Sequence, residues 1–212
     1  MFLNSEGKPV LIKMVKAIQD GKAYLSEVDG LIGDGDHGIN MNKGFTLFFK
    51  RFESTNITFS EGLDELGTIL FNEVGGSMGP IYGTIFMEMA KATDKNEKID
   101  LELFSKIMDA GLQGLLNIVD ARVGDKTLVD TLSPACGALH SSLKKGQSFY
   151  NALDEMKKAA KAGMESTINL VAKYGRSSRL GERSRGVLDA GATSCYILME
   201  VLAEGIQCLL KI

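Results

Sequence analysis

The chain has no tryptophan, three cysteines, three prolines and two histidines among 212 residues, and each scarcity removes a class of protein. Without tryptophan, and with a net charge of −3 instead of a broad basic face, it offers neither a stacking platform for single strands nor an electrostatic footprint for a duplex. Nucleic acid is therefore not an expected partner. Cys136, Cys195 and Cys208 are odd in number and scattered, with no C-x-x-C pair. They predict no disulfide framework and fit a reduced, cytoplasmic setting in which thiols pack as small apolar groups. No run of 18 apolar residues occurs, and the start Met1-Phe-Leu-Asn-Ser-Glu6 lacks the basic and apolar regions of a secretory leader, so no membrane association is expected. With 44% hydrophobic and 24% charged residues the composition is that of a globular protein, and the length predicts one domain over 1–212.

What is present is helical periodicity. Only Pro9, Pro80 and Pro134 interrupt the chain, and the tracts between glycine clusters place apolar residues at helical spacing instead of alternating them. Val10, Leu11, Met14, Val15 and Ile18 form one stripe, and Cys195, Ile197, Leu198, Val201, Leu202, Ile206, Leu209 and Leu210 a thicker one. The pattern predicts an all-α protein with helices near 8–28, 38–54, 59–74, 79–93, 99–119, 126–144, 148–173 and 191–211. Pro134 is expected to kink or break its helix. Short links favour antiparallel, up-down neighbours, which puts the loops 29–38, 75–79, 120–126 and 174–190 at one end.

The first of those loops, Asp29-Gly-Leu-Ile-Gly-Asp-Gly-Asp-His-Gly38, packs three carboxylates and four glycines into ten residues. Two carboxylates about 5 Å apart repel by roughly 3 kcal/mol at an effective dielectric of 20, so a convergent trio calls for a divalent cation. Hard oxygen ligands suit Mg²⁺ or Ca²⁺, and Mg²⁺ usually completes its shell with phosphate oxygens. The spacing Gly33-x-Gly35-x-x-Gly38 imitates a dinucleotide fingerprint, but its turn is filled with acid and helix precedes it where a strand is required. An EF-hand fails too, since its twelfth position is Phe45 instead of Glu. His37 lies among these carboxylates, which would favour its protonated form and let it donate to a phosphate; His140 reads as structural or exposed.

Two further segments suit an anion, and two more open helices. Gly75-Gly-Ser-Met-Gly-Pro80 resembles a backbone nest opening a helix, with Pro80 in the first turn. It is no P-loop, because no G-x-x-x-x-G-K-[ST] string exists. Arg176-Ser-Ser-Arg-Leu-Gly-Glu-Arg-Ser-Arg185 carries a local charge of +3, and arginine forks match phosphate oxygens, although at least two of these arginines read as solvated surface. Gly124-Asp-Lys-Thr127 and Asp189-Ala-Gly-Ala-Thr193 each open a predicted helix, with Asp189 a natural N-cap and Asp125 and Lys126 read as exposed.

Taken in order, Gly33-Asp-Gly-Asp-His-Gly-Ile-Asn-Met41, Gly75-Gly-Ser-Met-Gly-Pro80, Gly124-Asp-Lys-Thr127, Gly181-Glu-Arg-Ser184 and Asp189-Ala-Gly-Ala-Thr-Ser194 resemble the nucleotide-binding L subunit of dihydroxyacetone kinases of the phosphotransferase-system-dependent type. The resemblance implies an antiparallel eight-helix barrel holding ADP or ATP at one end through two Mg²⁺ ions. Carried over by position, it implies Asp29, Asp34 and Asp36 as magnesium ligands, with His37, Gly38, Asn40, Ser77 and Met78 around the phosphates. Thr127 and Leu128 would border the nucleoside, and Arg176, Asp189 and Gly191 would make further nucleotide contacts. It implies no nucleophile on this chain. The acceptor, dihydroxyacetone (glycerone) or a close ketose, would sit on a separate K subunit, and a phosphotransferase-system M subunit would rephosphorylate ADP. Direct use of ATP and a non-catalytic, nucleotide-sensing regulator are the rival readings, and self-association into a homodimer is left open. Four positions depart from the family pattern: Met78 replaces a small hydroxylated residue, Arg179 an aromatic, Val187 a histidine and Ala190 a proline. The segment Val119-Asp-Ala-Arg-Val-Gly124 is also shorter than usual.

Overall fold

The computed structural model describes residues 1–93 and 95–210. Among them run eight α-helices: α1 (Lys8–Gly30), α2 (His37–Phe52), α3 (Phe59–Glu73), α4 (Met78–Thr93), α5 (Leu101–Leu116), α6 (Val129–Lys144), α7 (Phe149–Ser166) and α8 (Ala190–Leu209). The all-α expectation holds. Each helix packs on its sequence neighbours and α8 packs back on α1, so the eight close into a ring. One cluster of apolar side chains fills it, drawing Met14 and Ile18 from α1, Phe45 and Phe48 from α2, Phe86 from α4 and Leu198 and Leu202 from α8. These residues recur every three or four positions, so burying one face of each helix fills the ring. No helix among the described residues is long and apolar enough to cross a membrane.

Local chemistry sets most helix starts. Thr58 and Glu61 form a reciprocal capping box at α3, Thr58 Oγ1 accepting from Glu61 N at 3.2 Å and Glu61 Oε2 accepting from Thr58 N at 2.9 Å. Asp100, Ser148 and Asp189 cap α5, α7 and α8 through single side-chain acceptors. Differences from the predicted boundaries have identifiable causes. Helix α6 begins at Val129 instead of 126, because Gly124 and Lys126 take left-handed backbone angles and the Asp130 carboxylate claims the N–H groups of Gly124 (2.5 Å) and Thr127 (2.7 Å). Helix α7 stops at Ser166, well short of 173. Ser166 and Thr167 hydroxyls bond the carbonyls of Gly163 and Met164, and the chain tightens into a 3-10 turn over Thr167–Asn169. The arginine run, expected as a link, forms a 3-10 segment over Arg176–Ser184 with a break at Gly181. A two-residue strand, β1 (Phe2–Leu3), pairs antiparallel with β2 (Lys98–Ile99), which periodicity did not foresee. The predicted end of the last helix at 211 lies outside the described residues.

Pro134 neither ends nor interrupts α6. It cannot donate to the Asp130 carbonyl four residues back, and on that carbonyl α7 makes its closest approach: a methyl group added at Gly163 would overlap the Asp130 oxygen. The proline's missing donor and the glycine's missing side chain thus meet at one contact. Gly163→Ala is expected to destabilise the fold by about 1 to 3 kcal/mol through overpacking, read as a lowered urea midpoint. Wild-type stability would show that the two helices separate without cost.

Candidate functional site

The four loops expected at one end do converge there. Together they line a cavity of about 730 Å³ whose wall includes Asp29, Asp34, Asp36, His37, Asn40, Ser77, Met78, Thr127, Leu128, Arg176, Asp189 and Gly191. Gly38 is buried behind this wall, where its lack of a side chain lets α2 start against the Lys22 carbonyl of α1.

On the acid side, Asp29, Asp34 and Asp36 each present a carboxylate oxygen, and the three oxygens lie within 4.8 Å of one another. Such a set fits a hard divalent cation, since no hydrogen-bonding scheme alone offsets three negative charges at that spacing. Asp29 also accepts the backbone N–H of His37 at 3.3 Å, fixing the acid loop to the start of α2. Arg176 reaches across the mouth to Asp34 at 2.6 Å and supplies the compensating charge in the protein as it stands.

His37 departs from expectation. Its ring is buried, with Nε2 2.8 Å from Ser194 Oγ, and burial pulls its pKa down to about 4 against the opposing pull of Asp29. It is neutral near pH 7, not the imidazolium that its sequence neighbours suggest.

Ser77 and Met78 line the same cavity where α4 opens, with Pro80 in its first turn. The unshared amide groups of that turn and its macrodipole favour an anion. The remaining wall is apolar, formed by Phe71, Ile81, Ile118, Val119, Leu128 and Val129. Sequence reasoning missed Phe71 and Ile118. Their one signal was an apolar residue off the core stripe, and both are about half exposed (48% and 50%).

Asp125 and Lys126, read as exposed, are buried. Asp125 pairs with Lys173 at 2.5 Å, which holds its carboxyl below the usual carboxylate range. Lys126 Nζ donates to the carbonyl oxygens of Thr167 and Val187 (2.5 Å to the latter), and burial lowers its pKa while Asp189 opposes the shift. Asp189 is the N-cap of α8, bonded by Ala192 N at 2.7 Å, and burial raises its carboxyl to about 6. Arg185, as expected, lies off the cavity, bonded to Glu182 and the Asn169 carbonyl. His140 is exposed and pairs with Asp109.

Fold and site together define a helical ring whose loops bring three carboxylates and the start of α4 to one cavity at one end. Residues 31–204 match the DAK2 domain, and the chain belongs to that family. It is 37% identical over 188 residues to the "PEP-dependent dihydroxyacetone kinase 1, ADP-binding subunit DhaL" of Listeria innocua, covering 88% of this chain and 89% of that protein. The corresponding ADP-binding subunit of Escherichia coli is also 37% identical, over 85% of this chain and 86% of its own length. Among solved structures, the native dihydroxyacetone kinase of C. freundii shares the fold, with a TM-score of 0.71 at 23% identity over 96% of this chain and 35% of that one.

The Lys126 geometry makes a prediction. Lys126→Met keeps the stem but strips a donor from the carbonyls of Thr167, just after α7, and Val187, just before α8. It is expected to lower unfolding free energy by about 1 to 3 kcal/mol in urea titrations. An unchanged midpoint would mean that the lysine carries no structural load.

Proposed function

We propose that this chain is the nucleotide-carrying subunit of a dihydroxyacetone kinase, binding ADP or ATP with Mg²⁺ and passing a phosphoryl group to dihydroxyacetone, or a close short ketose, on a separate K-type subunit. The observation that carries the reading is the trio of carboxylates lining one cavity together with the opening turn of α4. The relatives named as ADP-binding subunits support it, since this chain spans nearly their whole length. The dependence on PEP in their names, or on the PTS in that of the Lactococcus lactis subunit, supports ADP as a bound coenzyme rephosphorylated by an M-type subunit, a system that we place in the cytoplasm. A D-erythrulose kinase of Mycolicibacterium smegmatis, 27% identical, favours a second acceptor reading, a four-carbon ketose; the chain spans only 33% of that protein.

Asp29, Asp34 and Asp36 would hold magnesium, as a pair of ions, which when bound offsets charge on the transferring phosphoryl oxygens. The chain's own groups orient the polyphosphate. Ser77 and the amides opening α4 donate to its oxygens, His37 adds a neutral donor, and Arg176 exchanges Asp34 for phosphate. Thr127 and Leu128 border the nucleoside beside the apolar wall, and Asp189 and Gly191 close the far side. Phosphoryl transfer needs positioning and charge stabilisation more than covalent help, which is why a chain without a placed nucleophile suffices.

Calorimetry with Mg-ADP tests the metal cage. Asp34→Ala and Asp36→Ala should each weaken binding at least tenfold, whereas normal affinity in both would return the loop to a structural turn. Arg176→Ala should cost about 1.5 to 3 kcal/mol of nucleotide affinity and Arg185→Ala much less; equal losses would make the arginine run a diffuse field. The purified chain with Mg-ATP and dihydroxyacetone should form no sugar phosphate until the K-type subunit is added. Multiple turnover by the chain alone would overturn the division of labour.

A further inference from the structure

Behind the acid loop lies a buried polar chain that no motif accounts for. Tyr82 on α4 and Ser194 in the first turn of α8 are both buried. Tyr82 Oη lies 2.7 Å from Ser194 Oγ, which lies 2.8 Å from His37 Nε2. The Gly191 carbonyl is farther from both hydroxyls, 3.1 Å from Ser194 and 3.3 Å from Tyr82. Among the described residues none bonds His37 Nδ1, and His37 lines the cavity.

Two proton arrangements satisfy this network. In the first, Tyr82 donates to Ser194 and Ser194 donates to Nε2, so the neutral ring carries its proton on Nδ1. In the second, Nε2–H donates to Ser194, whose own proton turns to Gly191, and Nδ1 keeps a lone pair. Distance favours the first, because its two bonds have the usual O–H donor lengths while the second relies on the longer contact to Gly191.

We propose that Tyr82 and Ser194 are positioning residues that hold His37 as its Nδ1–H tautomer, so that the ring offers a neutral hydrogen-bond donor to an anionic oxygen in the cavity. Naming that oxygen as a nucleotide phosphate rests on the function proposed above. A neutral donor suits this place. An imidazolium beside a divalent cation would be repelled by it, whereas a neutral N–H binds phosphate without competing for the carboxylates.

The test is ¹⁵N NMR of the full-length chain with labelled histidine, near neutral pH and without nucleotide, using His140→Gln to assign the His37 signals. The expected ring has Nδ1 protonated and Nε2 bare. Ser194→Ala should move the population toward Nε2–H and weaken Mg-ADP binding about tenfold, the loss of roughly one hydrogen bond to an ionic group. Tyr82→Phe, which removes a single oxygen, should cause a smaller shift in the same direction, so the assignment stays testable even if the serine variant folds poorly. An Nε2–H or doubly protonated ring in the wild type overturns the proposal, and so does a tautomer that neither substitution moves. A wild-type protein with the Nδ1–H ring that binds no Mg-ADP supports the proton assignment and overturns the nucleotide reading instead.

Discussion

Three carboxylate oxygens within 4.8 Å of one another are the constraint around which this end of the molecule is built. Left alone they would drive the loop apart, at roughly 3 kcal/mol per pair even with substantial screening. The structure counters this in two ways. Arg176 comes from the opposite side of the sequence to neutralise Asp34, and Asp29 is held by the His37 N–H at the start of α2. Both contacts tie the acid loop to other parts of the ring, so the repulsion is contained by the fold as well as by any bound cation.

The loops that meet there are held by polar bonds more than by apolar packing. Asp130 pins the turn at 124–127, Lys126 spans from that turn to the carbonyls of Thr167 and Val187, and the Asp125 carbonyl and carboxylate both engage Lys173. A buried lysine with a left-handed backbone is costly by itself. It is tolerated because the ammonium donates to two carbonyls, Thr167 just after α7 and Val187 just before α8. The site is therefore anchored by buried polar bonds where it presents α6 and α8, whereas the exposed Arg176 holds it only through Asp34.

How much of this was legible depended on whether the signal was local. Helix positions followed from apolar spacing, and the convergence of four loops followed from alternating helices, because both are consequences of chain geometry. Capping at Thr58, Asp100, Ser148 and Asp189 is likewise a matter of three or four neighbouring residues. What failed was burial decided by distant segments. Asp125 and Lys126 look like any charged turn, and only the packing of residues 167–173 and 187 around them makes them interior. His37 was misjudged for the same reason. Its sequence neighbours are carboxylates, but its spatial neighbours are Ser194 and Tyr82, more than 150 and about 45 residues away in the chain, and desolvation outweighs the acids.

The charge arithmetic of the cavity explains why metal and anion belong together here. Asp29, Asp34 and Asp36 contribute three negative charges and Arg176 one positive, so these four groups sum to −2, which a single divalent cation would balance. A polyphosphate then approaches a neutral site bordered by the positive ends of helices instead of an acidic one that would repel it. In the proposed function, therefore, the cation and the helix starts together let these residues accept an anion that the acid loop alone would turn away.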